Sequence, residues 1–177
     1  SYNNVGSLCL QRGDYESAHV WFDRALKLKD NAEAKVNLGL LALKDGDLSK
    51  ATSLIAEGSA LPGVGDALGY LYLRQGDYAK AETAYGDVTT NNAAVAQILN
   101  HNYSKAVKTL EAIAKPDATT DYLRAIVATR MGDTSLAISS LQKALQKDPS
   151  LASRIDYDLE FARLRGMRDF SQLLRLH

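Results

Sequence analysis

Cysteine is nearly absent from this chain: Cys9 stands alone in 177 residues, so no internal disulfide can hold the fold together. Proline is almost as scarce, and Pro62, Pro116 and Pro149 leave long stretches without the residue that interrupts helices. No apolar run approaches the roughly 20 residues of a membrane span, and no signal-peptide pattern opens the chain. Charge of one sign is not in excess either, with 21 basic against 21 acidic residues. A surface that tracks phosphates needs positive charge, so this balance argues against nucleic acid as a partner. No stretch alternates apolar and polar residues as a half-buried strand would. The three histidines, His19, His101 and His177, fall far apart, with no second ligand-type residue at metal spacing and no nucleophile-base arrangement with Cys9. Neither an enzyme nor a cofactor site is indicated. Asp156, Asp158 and Glu160 form an acidic run without a glycine-rich loop, which reads as a solvated helix face and not as a calcium site.

What the chain does contain is a recurring pair. Glycine followed by aspartate appears at Gly13-Asp14, Gly46-Asp47, Gly76-Asp77 and Gly132-Asp133, each followed by an alanine: Ala18, Ala51, Ala81, Ala137. The first three pairs are about 33 and 30 residues apart, a spacing that marks stacked supersecondary units. The gap from Asp77 to Asp133 is about 56 residues, so a degenerate unit lies inside it, with Asn102-Tyr103, Ala106, Leu110 and Ile113 as its turn and second helix and Ala94 and Gln97 in a weakly patterned first helix. Glycine ends a helix by adopting the left-handed cap conformation, and the aspartate or asparagine after it caps the next. Gly6, Gly39, Gly69 and Ala125, with the second-helix alanines, remove bulk where helices cross. Phe22, Ile55, Tyr85, Leu110 and Leu141 recur at the spacing of an inward face and predict the seams. Cys9 falls in an inward slot, as a small buried hydrophobe.

The frame Val5-Gly6, Gly13-Asp14-Tyr15, Ala18, Phe22, Ala25, closed by Asp30, with its counterparts downstream, resembles the tetratricopeptide repeat. That resemblance implies an all-α solenoid of antiparallel helix pairs wound as a right-handed superhelix. Residues 1–149 would hold five repeats, the fourth degenerate and short, with an irregularity in the stacking between Asn91 and His101. Residues 150–177 would form capping helices, with Leu151, Ile155, Leu159 and Ala162 on one helical face and a further short helix after Gly166. The whole reads as one continuous domain, and a chain that opens inside a first helix without methionine as a piece of a longer protein, its compartment unspecified.

The resemblance also implies where a partner would sit. First helices line the concave side of such an array, so the exposed positions are Asn3, Ser7, Leu10 and Gln11, then Val36, Asn37, Leu40, Leu43 and Lys44, then Asp66, Tyr70, Leu73 and Arg74, then Tyr122, Ile126, Thr129 and Arg130. Leu40, Leu43, Tyr70 and Leu73 make an apolar strip rimmed by Lys44 and Arg74, suited to a peptide or a partner helix. The two-carboxylate clamp of chaperone-tail adaptors is not reproduced: Asn37 matches, but Asn3, Ser7, Gly63 and Ala67 stand where its lysines and asparagine belong. A non-catalytic interaction scaffold is therefore the expected function, with self-association through the apolar strip as the alternative, and neither cofactor nor metal is implied.

Overall fold

A computed structural model describes residues 1–29 and 31–177; the unit-closing Asp30 lies outside the described residues. The chain is helical, without strands among the described residues, and divides into two compact units, Ser1–Gly86 and Asp87–His177.

The first unit holds three helix pairs: α1 (Tyr2–Gln11) with α2 (Tyr15–Leu28), α3 (Ala32–Lys44) with α4 (Leu48–Glu57), and α5 (Val64–Gln75) with α6 (Tyr78–Tyr85). The second holds α7 (Asn91–Leu99) with α8 (Tyr103–Glu111) and α9 (Ala118–Met131) with α10 (Thr134–Lys147), then α11 (Leu151–Tyr157), a 3-10 helix (Leu159–Leu164) and α12 (Arg168–Arg175). Pro62, Pro116 and Pro149 all fall between helices.

Each tight turn inside a pair is built from two residues with two jobs apiece. Gly13, Gly46, Gly76 and Gly132 sit at φ between 77 and 83°, where a side chain is strained. Their amides, and those of the following aspartates, return to the end of the helix just completed: Gly13 N donates to Leu10 O at 3.1 Å and Asp14 N to Cys9 O at 2.9 Å. The same aspartate then caps the next helix, Asp14 accepting from Ser17 N at 3.1 Å, Asp47 from Lys50 N at 3.0 Å, Asp77 from Lys80 N at 3.3 Å and Asp133 from Leu136 N at 3.0 Å. A turn this short reverses the chain at once and forces the helices together. In the fourth pair His101 takes the glycine's place and its left-handed conformation, φ 61°, with the same return bonds to Ile98 O and Gln97 O from His101 N and Asn102 N. Asn102 occupies the N-cap of α8 but makes no side-chain cap hydrogen bond, contrary to the expectation drawn from the frame.

The helices approach closely enough that the small residues are required. A Cβ on Gly6 would lie 2.6 Å from Phe22, one on Gly39 2.6 Å from Ile55, and one on Gly69 2.7 Å from Tyr85. Phe22, Ile55, Leu110 and Leu141 are fully buried, as are Ala18, Ala51, Ala81, Ala106 and Ala137. Phe22 also packs with Leu38 and Leu41 of the following pair, so one side chain serves its own crossing and the next seam. Cys9 is half-buried at the margin of that cluster, less enclosed than its inward slot predicts.

After Pro149 the structure departs from a single helical face. Asp158 ends α11 and accepts from Glu160 N at 2.9 Å, starting a 3-10 turn. The break rotates the chain: Leu159 is exposed, and Ile155, Phe161, Leu164, Phe170 and Leu173 reach the core beside Tyr122, Leu141 and Leu145. Ala162 is exposed as well.

Candidate functional site

In the first unit the candidate positions split into a closed part and an open part. Asn3 is buried, not exposed: its Nδ2 donates to Glu33 Oε2 and its Oδ1 accepts from Asn37 Nδ2, both at 3.1 Å. Ser7 donates to Asn3 O at 3.0 Å. The amides of Asn3 and Asn37 therefore tie α1 to α3 while the Ser7 hydroxyl turns back into α1, and of the four α1 candidates Gln11 is the one left exposed. The open part lies on α3 and α5. Leu40 is 39% and Tyr70 46% exposed, while Leu43 and Leu73 are half-buried, Leu43 resting on the cluster of Ile55, Val64, Leu68 and Leu71. Lys44 and Arg74 are exposed, Lys44 with its Nζ 4.3 Å from the centre of the Tyr15 ring and Arg74 with its guanidinium 5.9 Å from Tyr70.

In the second unit the corresponding side chains are engaged by the chain's own C-terminal segment. Tyr122 is buried, against the expectation of exposure; its hydroxyl donates to Asp158, and Phe161 meets its ring edge-on at 5.4 Å. Burial first, and then the bond to the Asp158 carboxylate, push the Tyr122 phenol above its ordinary range. Ile126 is half-buried against the core, and Thr129 is buried, donating to Ala125 O at 2.7 Å. Arg130 grips Glu160 with both arms, Nε to Oε2 at 2.9 Å and Nη2 to Oε1 at 2.5 Å, and its Nη1 reaches Ile98 O and the Tyr103 hydroxyl. The hydrogen bonds to Glu160 hold the guanidinium charged. Asp158 and Glu160 are thus not the solvated helix face that the acidic run suggests. A cavity of about 640 Å³ borders this cluster, lined by His101, Tyr103, Arg130, Asp158, Glu160 and Arg163 among others. His101 Nδ1 lies 2.9 Å from the Tyr103 hydroxyl, so the residue in the strained turn faces the same cleft.

One feature of this unit escapes the repeat frame. Asp121 is fully buried and pairs with Lys147 Nζ at 2.6 Å and Arg124 Nη1 at 3.2 Å; Arg124 Nη2 also donates to Leu110 O at 2.9 Å. Arg124 stands where α3 and α5 have Leu38 and Leu68, and borders a groove of about 540 Å³ with Val107, Val127, Met131 and Leu136. A groove of about 320 Å³ lined by His19, Leu38, Ala42 and Lys50 occupies the equivalent place in the first unit, so the cleft belongs to the repeat geometry. Among the described residues no cluster of three or more His, Cys, Asp or Glu side chains could hold a metal ion, and no helix is long and apolar enough to cross a membrane.

Comparison with known proteins rests on sequence for the repeats and on structure for the fold. Residues 6–58 match one tetratricopeptide repeat family and residues 66–95 another. The solved structure of MamA AMB-1 matches with a TM-score of 0.69 at 17% identity, over 92% of this chain and 95% of that one. That of MamA MSR-1 matches with a TM-score of 0.65 at 19% identity, over 84% of this chain and 95% of that one. These likenesses are of fold, and no curated protein matches significantly. The glycine-aspartate turns, the seated glycines and the matched segments together identify residues 6–58 and 66–95 as tetratricopeptide repeats.

Proposed function

We propose that the chain is a non-catalytic protein-interaction scaffold that receives a peptide or a partner helix on the first-helix face of its N-terminal unit, through Leu40, Leu43, Lys44, Tyr70, Leu73 and Arg74. One observation carries this reading: Leu40 and Tyr70 are exposed at positions whose counterpart on α9, Ile126, is packed. Large apolar side chains aligned on successive first helices, with cations at the rim, suit a ligand with apolar anchors and a negative flank. The balanced overall charge removes the drive for phosphate backbones and favours a protein ligand. A peptide array probed with the purified chain and with a Leu40→Ser/Tyr70→Ala variant of unchanged helicity tests it. Peptides held by the parent and lost by the variant are expected; an array on which both bind alike, or neither binds, refutes the reading.

A second reading is self-association. Val5 and Leu8 on α1 are 38% and 53% exposed, whereas the residues in register on α3, Leu38 and Leu41, are 7% and 4% exposed. A second copy would cover that edge as α3 is covered. Light scattering separates the two: a concentration-dependent dimer abolished by Leu8→Lys supports self-association, and a monomer at all concentrations supports the free scaffold.

A further inference from the structure

Leu40, Tyr70 and Ile126 hold one position of the repeat, and Lys44, Arg74 and Arg130 hold the position one helical turn later. The correspondence is spatial as well. Lys44 lies over the ring of Tyr15 and Arg130 over that of Tyr103, and each tyrosine opens the second helix of the preceding pair. In the second unit this face carries a bound segment whose chemistry is on view. Glu160 presents both carboxylate oxygens to Arg130, Asp158 takes the Tyr122 hydroxyl, and Phe161 closes against the Tyr122 ring. Two carboxylates on alternate residues, followed by an aromatic, thus pack on the first-helix face of this unit.

We infer that the α3 and α5 face of the N-terminal unit binds an acidic segment of the same chemistry presented by a partner protein: carboxylates on alternate residues meeting Arg74 and Lys44, with an adjoining aromatic on Leu40 and Tyr70. The inference rests on the reading of this face as a protein-binding surface and specifies its ligand. Arg74 is the closer analogue of Arg130, because a guanidinium engages a carboxylate with two parallel hydrogen bonds where an ammonium offers a point charge. The Tyr70 ring beneath Arg74 gives the guanidinium an apolar floor on which a partner's ring extends the stack. Both cations are exposed, so the attraction is screened by salt.

The test uses the full chain and a fluorescein-labelled peptide with the sequence of residues 156–162, Asp-Tyr-Asp-Leu-Glu-Phe-Ala. Anisotropy should show saturable binding that weakens with salt. Lys44→Glu/Arg74→Glu should lower the affinity about tenfold or more, the loss expected when charge-assisted hydrogen bonds are removed. Replacing the carboxylates of the peptide by amides should have a similar effect, and amide shifts should concentrate at residues 40–44 and 70–74. Absence of saturable binding, indifference to either charge change, or shifts confined to residues 122–130 would overturn the inference. Array peptides that depend on Leu40 and Tyr70 yet carry no acidic residues would also overturn it, while leaving the protein-binding reading intact.

Discussion

Replacing Gly6 by alanine probes the contact on which the helix pairs depend. In an isolated helix the change is favourable, by about 1 kcal/mol of propensity. Here the new Cβ would stand 2.6 Å from Phe22 Cε1, 2.7 Å from Cδ1 and 3.1 Å from Cζ. The Phe22 ring is fully buried between Ala18, Leu38 and Leu41, so it cannot swing aside without disturbing the next pair. Overpacking of this kind costs about 1–3 kcal/mol, which outweighs the propensity gain and leaves a net loss of up to about 2 kcal/mol. For a chain of this length each kcal/mol lowers the melting temperature by about 2–4 °C. Gly166→Ala is the control: a Cβ there would meet nothing within 4 Å, and the chain is not left-handed at that residue, so stability should hold or rise. Thermal melts followed by circular dichroism give the comparison, and adding Phe22→Leu should recover part of the Gly6→Ala loss, because the two residues share one contact. Gly6→Ala that stabilises as Gly166→Ala does, with strict additivity in the double variant, would refute the account of the crossing.

Other consequences follow from single contacts. Asp47→Ala removes the acceptor for Lys50 N and should cost about 1 kcal/mol in a thermal melt, the usual worth of an N-cap. Asp117 caps α9, and the Thr120 backbone hydrogen bond holds its carboxyl below the ordinary value. Its stabilisation is therefore complete above the unfolded value of about 3.9 and disappears as pH falls through the lowered folded value, so Asp117→Asn should flatten that part of the acid-unfolding curve. Glu160→Gln weakens the pairing with Arg130 and should cost about 1–3 kcal/mol locally, read as faster amide exchange across residues 158–164 than in the parent; unchanged exchange would contradict the role given to that pair.

The helical pairs were readable because their turns are local devices. A glycine that must be left-handed and an aspartate that caps three residues ahead leave a two-letter mark at four of the five turns inside the pairs. His101 shows the limit of that mark: the left-handed turn persists without its glycine, and alignment of the frame locates it where composition does not. Exposure on the first helices was less readable, since it depends on what lies across them. Tyr122 and Arg130 match the frame as well as Tyr70 and Arg74, yet Asp158, Glu160 and Phe161 cover them, and the cap at Asp158 that turns those residues inward interrupts the expected helical spacing. Asn3 is closed for a similar reason, its amide satisfied by Glu33 and Asn37 on the neighbouring helix.

The central claim is that the open face of α3 and α5 is the binding surface of this scaffold. Hydrogen exchange on the full chain, alone and saturated with a peptide selected on the array, tests it most directly. Protection is expected to rise at residues 40–44 and 70–74 and to stay unchanged on the second helices of the same pairs, α4 and α6. Protection confined to α4 and α6, with α3 and α5 unaffected, would contradict it.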